Sequence, residues 1–379
     1  MTDIGQSRPP GPINHLVDRV QKWGLNKIAS PDFQRWAASF SLTRGFVRRD
    51  AAQLYDLVAG FVYSQTLLAC IELGVLRAAQ RGPISPDELA ARHDIATARM
   101  ETLCQAAAAV GLLVRQRCGT YRLGRLGAAA LGVPGLEAMI LHHKTFYRDL
   151  ADPVALMRSE SETELSRFWP YVLGQSGDPG PDVVSAYSEL MAASQHLVAE
   201  ETLDAVSFNG ATGLTDIGGG TGVFLGHVAR RYPSLDLHLF DLPGVINAAQ
   251  GADGNPTIAK TAGSFLTDAL PVHGDAVSLI RVLYDHDDDT VSRLLARVSS
   301  ALPPGGRIIV SEPMSGGDAP CRAGDAYFGF YTMAMTTGRP RSPAQHIQLL
   351  NAAGFTAARH HPTRRPFLTS VVSARKPPA

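Results

Sequence analysis

An excess of charge of either sign is missing from this 379-residue chain: 35 Lys and Arg stand against 35 Asp and Glu. A balance of that kind sets up no long-range field to gather nucleic acid or an anionic membrane surface. Cysteine is also scarce. Cys70, Cys104, Cys118 and Cys321 form no Cys-x-x-Cys pair and are too few for a secreted disulfide scaffold, so they read as reduced thiols of a cytoplasmic protein, not metal ligands. No run of about 18 uncharged apolar residues is evident, which argues against a membrane span. Residues 1–30 lack the apolar core and small-residue cleavage site of a signal peptide, which argues against export. Apolar side chains are plentiful, at 45% of the chain, and that is enough at this length for two separate cores.

The strongest local signal is residues 212–243, which read as strand, glycine turn, helix, strand and terminal acid. Leu214, Asp216 and Ile217 run into Gly218, Gly219, Gly220 and Gly222, where a backbone free of Cβ atoms can bend sharply and admit a ligand closely. A dinucleotide fingerprint requires Gly-x-Gly-x-x-Gly, and in either register the third position is filled, by Val223 or Leu225. The motif present is Asp-x-Gly-x-Gly-x-Gly. Its leading carboxylate, Asp216, suggests a cationic group on the ligand. Asp241, about 20 residues past the glycines at the end of the second strand, is placed to accept from a ribose diol. Together they suit a nucleoside with a charged amine, such as S-adenosylmethionine. The bland alternative, a turn that merely packs helix on strand, is weaker because motif, flanking strands and distal acid agree.

Residues 1–48 read as a partly irregular extension, with Trp36 and Phe40 on a helical pattern. Residues 49–208 form a mainly helical domain. Within it, a helix from Tyr55, a capping box at Ser85 and Glu88, a second helix over 98–110 and a hairpin through Tyr121 describe a winged helix. Such a unit often binds DNA, but the segment that would read bases, Thr97 to Gln105 followed by four alanines, is poor in basic and amide groups. Between Asp50 and Ala130 eight arginines meet seven acids, so the wing is better suited to protein contact. Residues 136–208 carry His142, His143, Phe146, Tyr147, Trp169, Tyr171, Tyr187, Met191 and His196, read by default as core, with a loop at 175–181. His142 and His143 are adjacent and point to different helix faces, so they form no metal pair. From residue 209 strands and helices alternate to the end, which predicts a doubly wound α/β domain on a parallel sheet with ligands at its carboxyl edge.

Asp216 to Gly222, Phe240-Asp241-Leu242-Pro243, Val282 to Asp288, Leu302 to Gly306 and Ala353-Gly354-Phe355 resemble the successive motifs of the class I, S-adenosylmethionine-dependent small-molecule O-methyltransferases. The resemblance covers roughly residues 50–376, and it implies a Rossmann-like catalytic domain behind a winged-helix dimerisation domain and a homodimer. It implies that Gly218 and Gly220 line the methionine end of the donor, with Gly219 between them also binding the cofactor, Asp241 at the ribose and Leu242 at the adenine. Gly263-Ser264-Phe265 stands where relatives carry Gly-Asp and an apolar residue, so Ser264 would meet the adenine amino group, and Arg281 falls near the cofactor. Residues 55–65 and 283–287 are similar to the branch acting on the tertiary 1-hydroxyl of acyclic carotenoids. That implies a lipophilic hydroxylated substrate, and peripheral contact with a pigment-bearing membrane is compatible with it. A channel between the halves would then draw on Phe146, Met191, Phe328, Phe330, Tyr331, Met333 and Met335, with core packing equally open for each. Another pigment or polyketide acceptor stays open, as does a winged-helix regulator that senses the nucleoside.

The catalytic segment departs from the family's Leu-His-Asp-Trp-Asp. Tyr284 holds the position of the basic His and His286 that of the Trp, while Pro340 replaces a second family carboxylate. Glu312 matches the acid that orients the base. An imidazole with an ordinary pKa near 6.5 accepts a proton more readily than a phenol with one near 10. The reading is therefore His286 as base, Tyr284 orienting the hydroxyl and Glu312 in support. The competing reading, of equal weight, has His286 merely solvating a loop beside Asp285, Asp287 and Asp288. Asp287, Asp288 and Asp289 spread around a helix start, so no metal site is expected there.

Overall fold

The computed structural model describes residues 12–160, 162–168, 194–249 and 258–379. Trp169, Tyr171, Tyr187, Met191 and the loop at 175–181 lie outside them. Helices Pro12–Ile28, Pro31–Ser39 and Arg44–Glu72 open the chain, the second started by Pro31 behind an extended Ser30. Arg44–Glu72 begins well before Tyr55 and runs unbroken through residue 49 until Gly74, in the left-handed region at φ +62°, turns the chain into Val75–Arg81. Its longest uncharged stretch lies between Asp56 and Glu72 and is shorter than about 18 residues, as expected. By length and composition this helix could cross a bilayer, yet Leu68, Cys70 and Ile71 at its C-terminal end are buried in the helical domain's own core.

Helices Pro86–His93 and Thr97–Ala109 and the antiparallel pair β1 (Leu113–Arg115) and β2 (Tyr121–Leu123) complete the winged helix. Ser85 caps by accepting from the Asp87 amide at 3.2 Å, so the expected reciprocal box with Glu88 does not form. A reciprocal box closes instead at Ser342 and Gln345, at the start of helix Pro343–Ala352.

The second half holds a seven-stranded sheet. Its strands are β3 (Gly213–Ile217), β4 (Asp236–Asp241), β5 (Ile258–Ala262), β6 (Ala276–Ile280), β7 (Arg307–Glu312), β8 (Thr356–His361) and β9 (Ser370–Arg375). The order is β5-β4-β3-β6-β7-β9-β8, with β5 to β7 parallel and β9 antiparallel to both its neighbours. The sheet is therefore mixed, which corrects the all-parallel expectation. β8 escaped notice because an edge strand written Thr-Ala-Ala-Arg-His-His buries little and shows no apolar alternation. Helices cover both faces. Phe208, Phe224, Leu225 and Val228 pack on one, while Val291, Leu294, Val298 and Leu350 pack on the other. Strand order reverses between β3 and β6, which opens a crevice at the carboxyl ends of those strands. A fourth cluster, Phe146, Leu156, Leu165, Tyr331, Ala334 and Met335, joins the helical half to helix Gly329–Ala334 of the catalytic half.

Candidate active site

The crevice is floored by the turn after β3. Gly218 and Gly220 hold φ of +68° and +62°, a region disfavoured for side-chain-bearing residues. A Cβ on Gly219 would fall 2.5 Å from both Asp216 Oδ2 and Leu239 Cδ1, so this backbone lies flat on the strands beneath. The Gly220 amide donates to Asp241 Oδ2 and the Leu242 amide to Asp241 Oδ1, each at 2.7 Å. Asp241 thus clips the turn to the end of β4. Each of its oxygens keeps a second lone pair for a ligand hydroxyl. Burial raises its pKa to about 6, against the two amide hydrogen bonds that lower it.

Gly218, Asp241, Leu242, Ser264, Phe265 and Arg281 line one cleft, together with Leu266, Val282, Asp285 and His286. Six of the ten expected cofactor residues therefore converge. The other four serve the frame. Asp216 is fully buried on β3, where its Oδ1 accepts from Ser278 Oγ at 2.5 Å and its Oδ2 has no partner, so it sits under the turn and not on the cleft wall. That corrects its reading as a ligand contact. Gly219 and Gly220 shape the turn, and Gly263 lets β5 pass Phe240, whose Cε2 would stand 2.7 Å from an added Cβ. Ser264 lines the cleft while its amide donates to Asp268 Oδ2 at 2.8 Å and its Oγ accepts from the Leu266 amide at 3.2 Å.

After β6 the chain passes through Arg281, a non-glycine residue at φ +58° whose Nη1 donates to Ser194 Oγ at 2.8 Å, and enters the short turn Leu283–Asp285. Tyr284 is buried and packs edge-on against Phe328 with ring centroids 6.0 Å apart, outside the cleft lining. Glu312 Oε2 accepts from the Leu283 and Tyr284 amides at 2.9 and 3.2 Å, and Oε1 stands 3.2 Å from His346 Nε2 but off the line of a hydrogen bond. Two expectations are thereby corrected: Tyr284 does not reach the cleft, and Glu312 grips the loop backbone and not the ring of His286. His286 does face the cleft, its ring edge-on to Phe265 at 5.3 Å. Burial lowers its pKa to about 4, against the nearby Asp287 and Glu312, so the imidazole is neutral at pH 7.

Several site residues went unread in the sequence. Asp285 shares the cleft wall, yet its Oδ1 has no hydrogen-bond partner. Arg341 is fully buried, with Nη1 donating to Leu283 O, Nη2 to His286 O and both Nε and Nη2 to Asp288 Oδ1, at 2.6 to 2.8 Å. The acidic triplet is split accordingly. Asp287 caps helix Asp288–Ala301 through the Thr290 amide, while Asp288 pairs with Arg339 and Arg341. At the junction of the halves His142 Nε2 meets Tyr331 Oη at 2.8 Å and His143 Nε2 meets Tyr327 Oη at 2.6 Å. Of the expected channel residues, Phe146, Tyr331 and Met335 are core, and Met333 is exposed. The motif Tyr284-Asp285-His286 already displayed Asp285. Nothing local marked His346 or the His–Tyr pairs, because each acquires its partner from a distant segment.

Family models place an O-methyltransferase dimerisation domain on residues 55–132 and an O-methyltransferase domain on residues 147–356. Over 98% of its length the chain is 48% identical to the demethylspheroidene O-methyltransferase of Cereibacter sphaeroides, spanning 98% of that protein. Over 97% of its length it is 49% identical to the demethylspheroidene O-methyltransferase of Rhodobacter capsulatus, spanning 91% of it. Among solved structures it resembles human N-acetylserotonin methyltransferase in complex with SAM, with TM-score 0.74 and 24% identity over 86% of this chain and 98% of the other. It also resembles the mitomycin 7-O-methyltransferase, with TM-score 0.72 and 22% identity over 87% and 99% of the two chains. At such identities the two structures speak for the fold alone.

Proposed function

The chain belongs to the O-methyltransferase family that carries an N-terminal dimerisation domain, and on that premise we propose that it methylates the tertiary hydroxyl of an acyclic hydroxycarotenoid of the demethylspheroidene type, with S-adenosylmethionine as donor. The observation that carries the substrate class is the near-full-length match to two demethylspheroidene enzymes. The cleft fits the donor. Asp241 retains free lone pairs at the sheet edge for a ribose diol, Leu242 and Phe265 offer apolar walls for an adenine, and Arg281 brings a cation for a carboxylate. When bound, the donor supplies a methyl group already activated on a sulfonium.

The protein's own contribution is alignment, exclusion of water and acceptance of a proton. A lipophilic acceptor has a matching environment at the junction of the halves. Phe146, Tyr327 and Tyr331 pack together there, and Phe328 links them to Tyr284 on the catalytic loop. The test is direct: purified protein is incubated with methyl-labelled S-adenosylmethionine and demethylspheroidene in detergent micelles, beside a phenolic polyketide and a pigment macrocycle. We expect label in a carotenoid methyl ether. Turnover of the phenol or macrocycle with none of the carotenoid would overturn the substrate assignment.

A further inference from the structure

We infer that Asp285, and not His286, accepts the proton of the substrate hydroxyl. The inference rests on the proposed methylation of an alcohol, and it starts from a side chain with an unused oxygen. Asp285 is 7% exposed and lines the same cleft as Gly218 and Asp241, and its Oδ1 is without a hydrogen-bond partner among the described residues. Buried carboxylate oxygens are ordinarily satisfied, and one left unsatisfied on a residue that lines a ligand cleft is an acceptor in need of a donor. A substrate O–H is such a donor.

The surroundings fix the backbone that carries that carboxyl. Its own carbonyl accepts from Thr337 Oγ1 at 3.2 Å, and a Cβ on Gly338 would fall 2.4 Å from the Asp285 carbonyl carbon, so the segment at 337–338 lies tight against this peptide. Arg341 holds the carbonyls on either side of it, those of Leu283 and His286. The groups that face the carboxyl are Arg281, Glu312 and Tyr284, with His286 next in the chain and Asp241 in the same cleft. Burial raises the Asp285 pKa well above the ordinary carboxylate range, opposed first by the positive charge of Arg281. Burial drives His286 the other way, to about 4.

The two directions matter for an aliphatic alcohol, which gives up its proton only to a competent base. An imidazole held near 4 has lost most of its proton affinity, whereas a desolvated carboxylate has gained it. The acceptor oxygen forms its bond to the methyl carbon as the methyl–sulfur bond breaks, and the electron pair of that bond stays on sulfur as a neutral thioether. The hydroxyl proton passes to the Asp285 carboxylate, leaving a neutral carboxylic acid that later loses the proton to water.

The test compares Asp285→Asn and His286→Asn in the full-length enzyme. Turnover is followed against pH, donor affinity by calorimetry without acceptor, and carboxyl protonation by infrared difference spectroscopy. We expect Asp285→Asn to lower kcat about 100-fold or more while the donor Kd moves less than about threefold. It should also abolish an infrared carboxyl band that titrates, in the wild type, with the acid limb of the kcat profile. His286→Asn should keep that limb, whatever its effect on the size of kcat. Near-wild-type turnover in Asp285→Asn, or loss of the limb in His286→Asn alone, would overturn the assignment. Should Asp285→Asn not fold, Asp285→Glu decides: a shifted acid limb supports the inference and an unshifted one refutes it. If the wild type methylates no carotenoid, the substrate reading fails by itself, and the same comparison runs on whichever hydroxyl compound the wild type does turn over.

Discussion

Asp216 shows how one carboxylate can look like a ligand contact in sequence and act as a strut in space. Burial lifts its pKa to about 7, against the Ser278 hydrogen bond that lowers it and with the charge of Asp241 adding to the rise. A folded-state pKa above the unfolded one means that the native protein binds the extra proton between the two values. The contribution is therefore fully present below the ordinary carboxylate pKa near 4 and lost as pH climbs to about 7, which costs roughly 4 kcal/mol above that. Asp216→Asn keeps an acceptor for Ser278 and has no charge to bury. In ligand-free protein its Tm should gain on the wild type from pH 5 to about pH 7 and level off above that, and parallel curves between pH 5 and pH 7 would contradict the burial argument. The glycine turn and Asp241 were legible because their chemistry is local: turn, strand end and backbone amides lie within 25 residues. Asp216 was misread because its depth depends on Ser278, 62 residues on.

One level up, the catalytic loop is an element without a core of its own, and side chains from two neighbouring segments hold it. Glu312 from the end of β7 takes its amides, and Arg341 takes its carbonyls and Asp288. The family carboxylate absent at Pro340 is thus neighboured by a buried cation whose partners are all accounted for. Arg341→Met takes the donor from the buried His286 carbonyl and leaves the Leu283 carbonyl to the His286 amide and Asp288 to Arg339, a loss of about 2 kcal/mol. Arg341→Lys should recover only part of that, since one ammonium cannot span both carbonyls and the carboxylate. Thermal melts would register the order wild type, Lys, Met, and equal stability of all three would remove the brace from the account. Element by element, the start of helix Asp288–Ala301 was legible because Asp287 and the acids that follow it mark it locally. The antiparallel ending β9-β8 was not, because strand direction is set by pairing partners and not by the strand's own residues.

At the scale of the whole molecule the helix Arg44–Glu72 has two contrasting ends. Its last turns are buried in the winged-helix core, while Leu54, Leu57, Val58 and Phe61 recur at i, i+3, i+4 and i+7 on a face left bare, Leu57 being 79% and Phe61 69% exposed. A single chain seldom keeps so continuous an apolar face in water. The dimerisation domain begins at residue 55, within this face, which makes a second copy of the chain its natural cover. The double variant Leu57→Glu, Phe61→Glu would set charges against each other across such an interface. Sedimentation should then fall from about twice the 40.5 kDa chain mass to the mass of one chain. The same helix is long and apolar enough to enter a bilayer, so the experiment carries a second arm with anionic vesicles. A dimeric double variant that has lost a vesicle binding shown by the wild type would assign the face to lipid. A monomeric one would assign it to the partner subunit and leave collection of a lipophilic substrate to the aromatic junction between the halves.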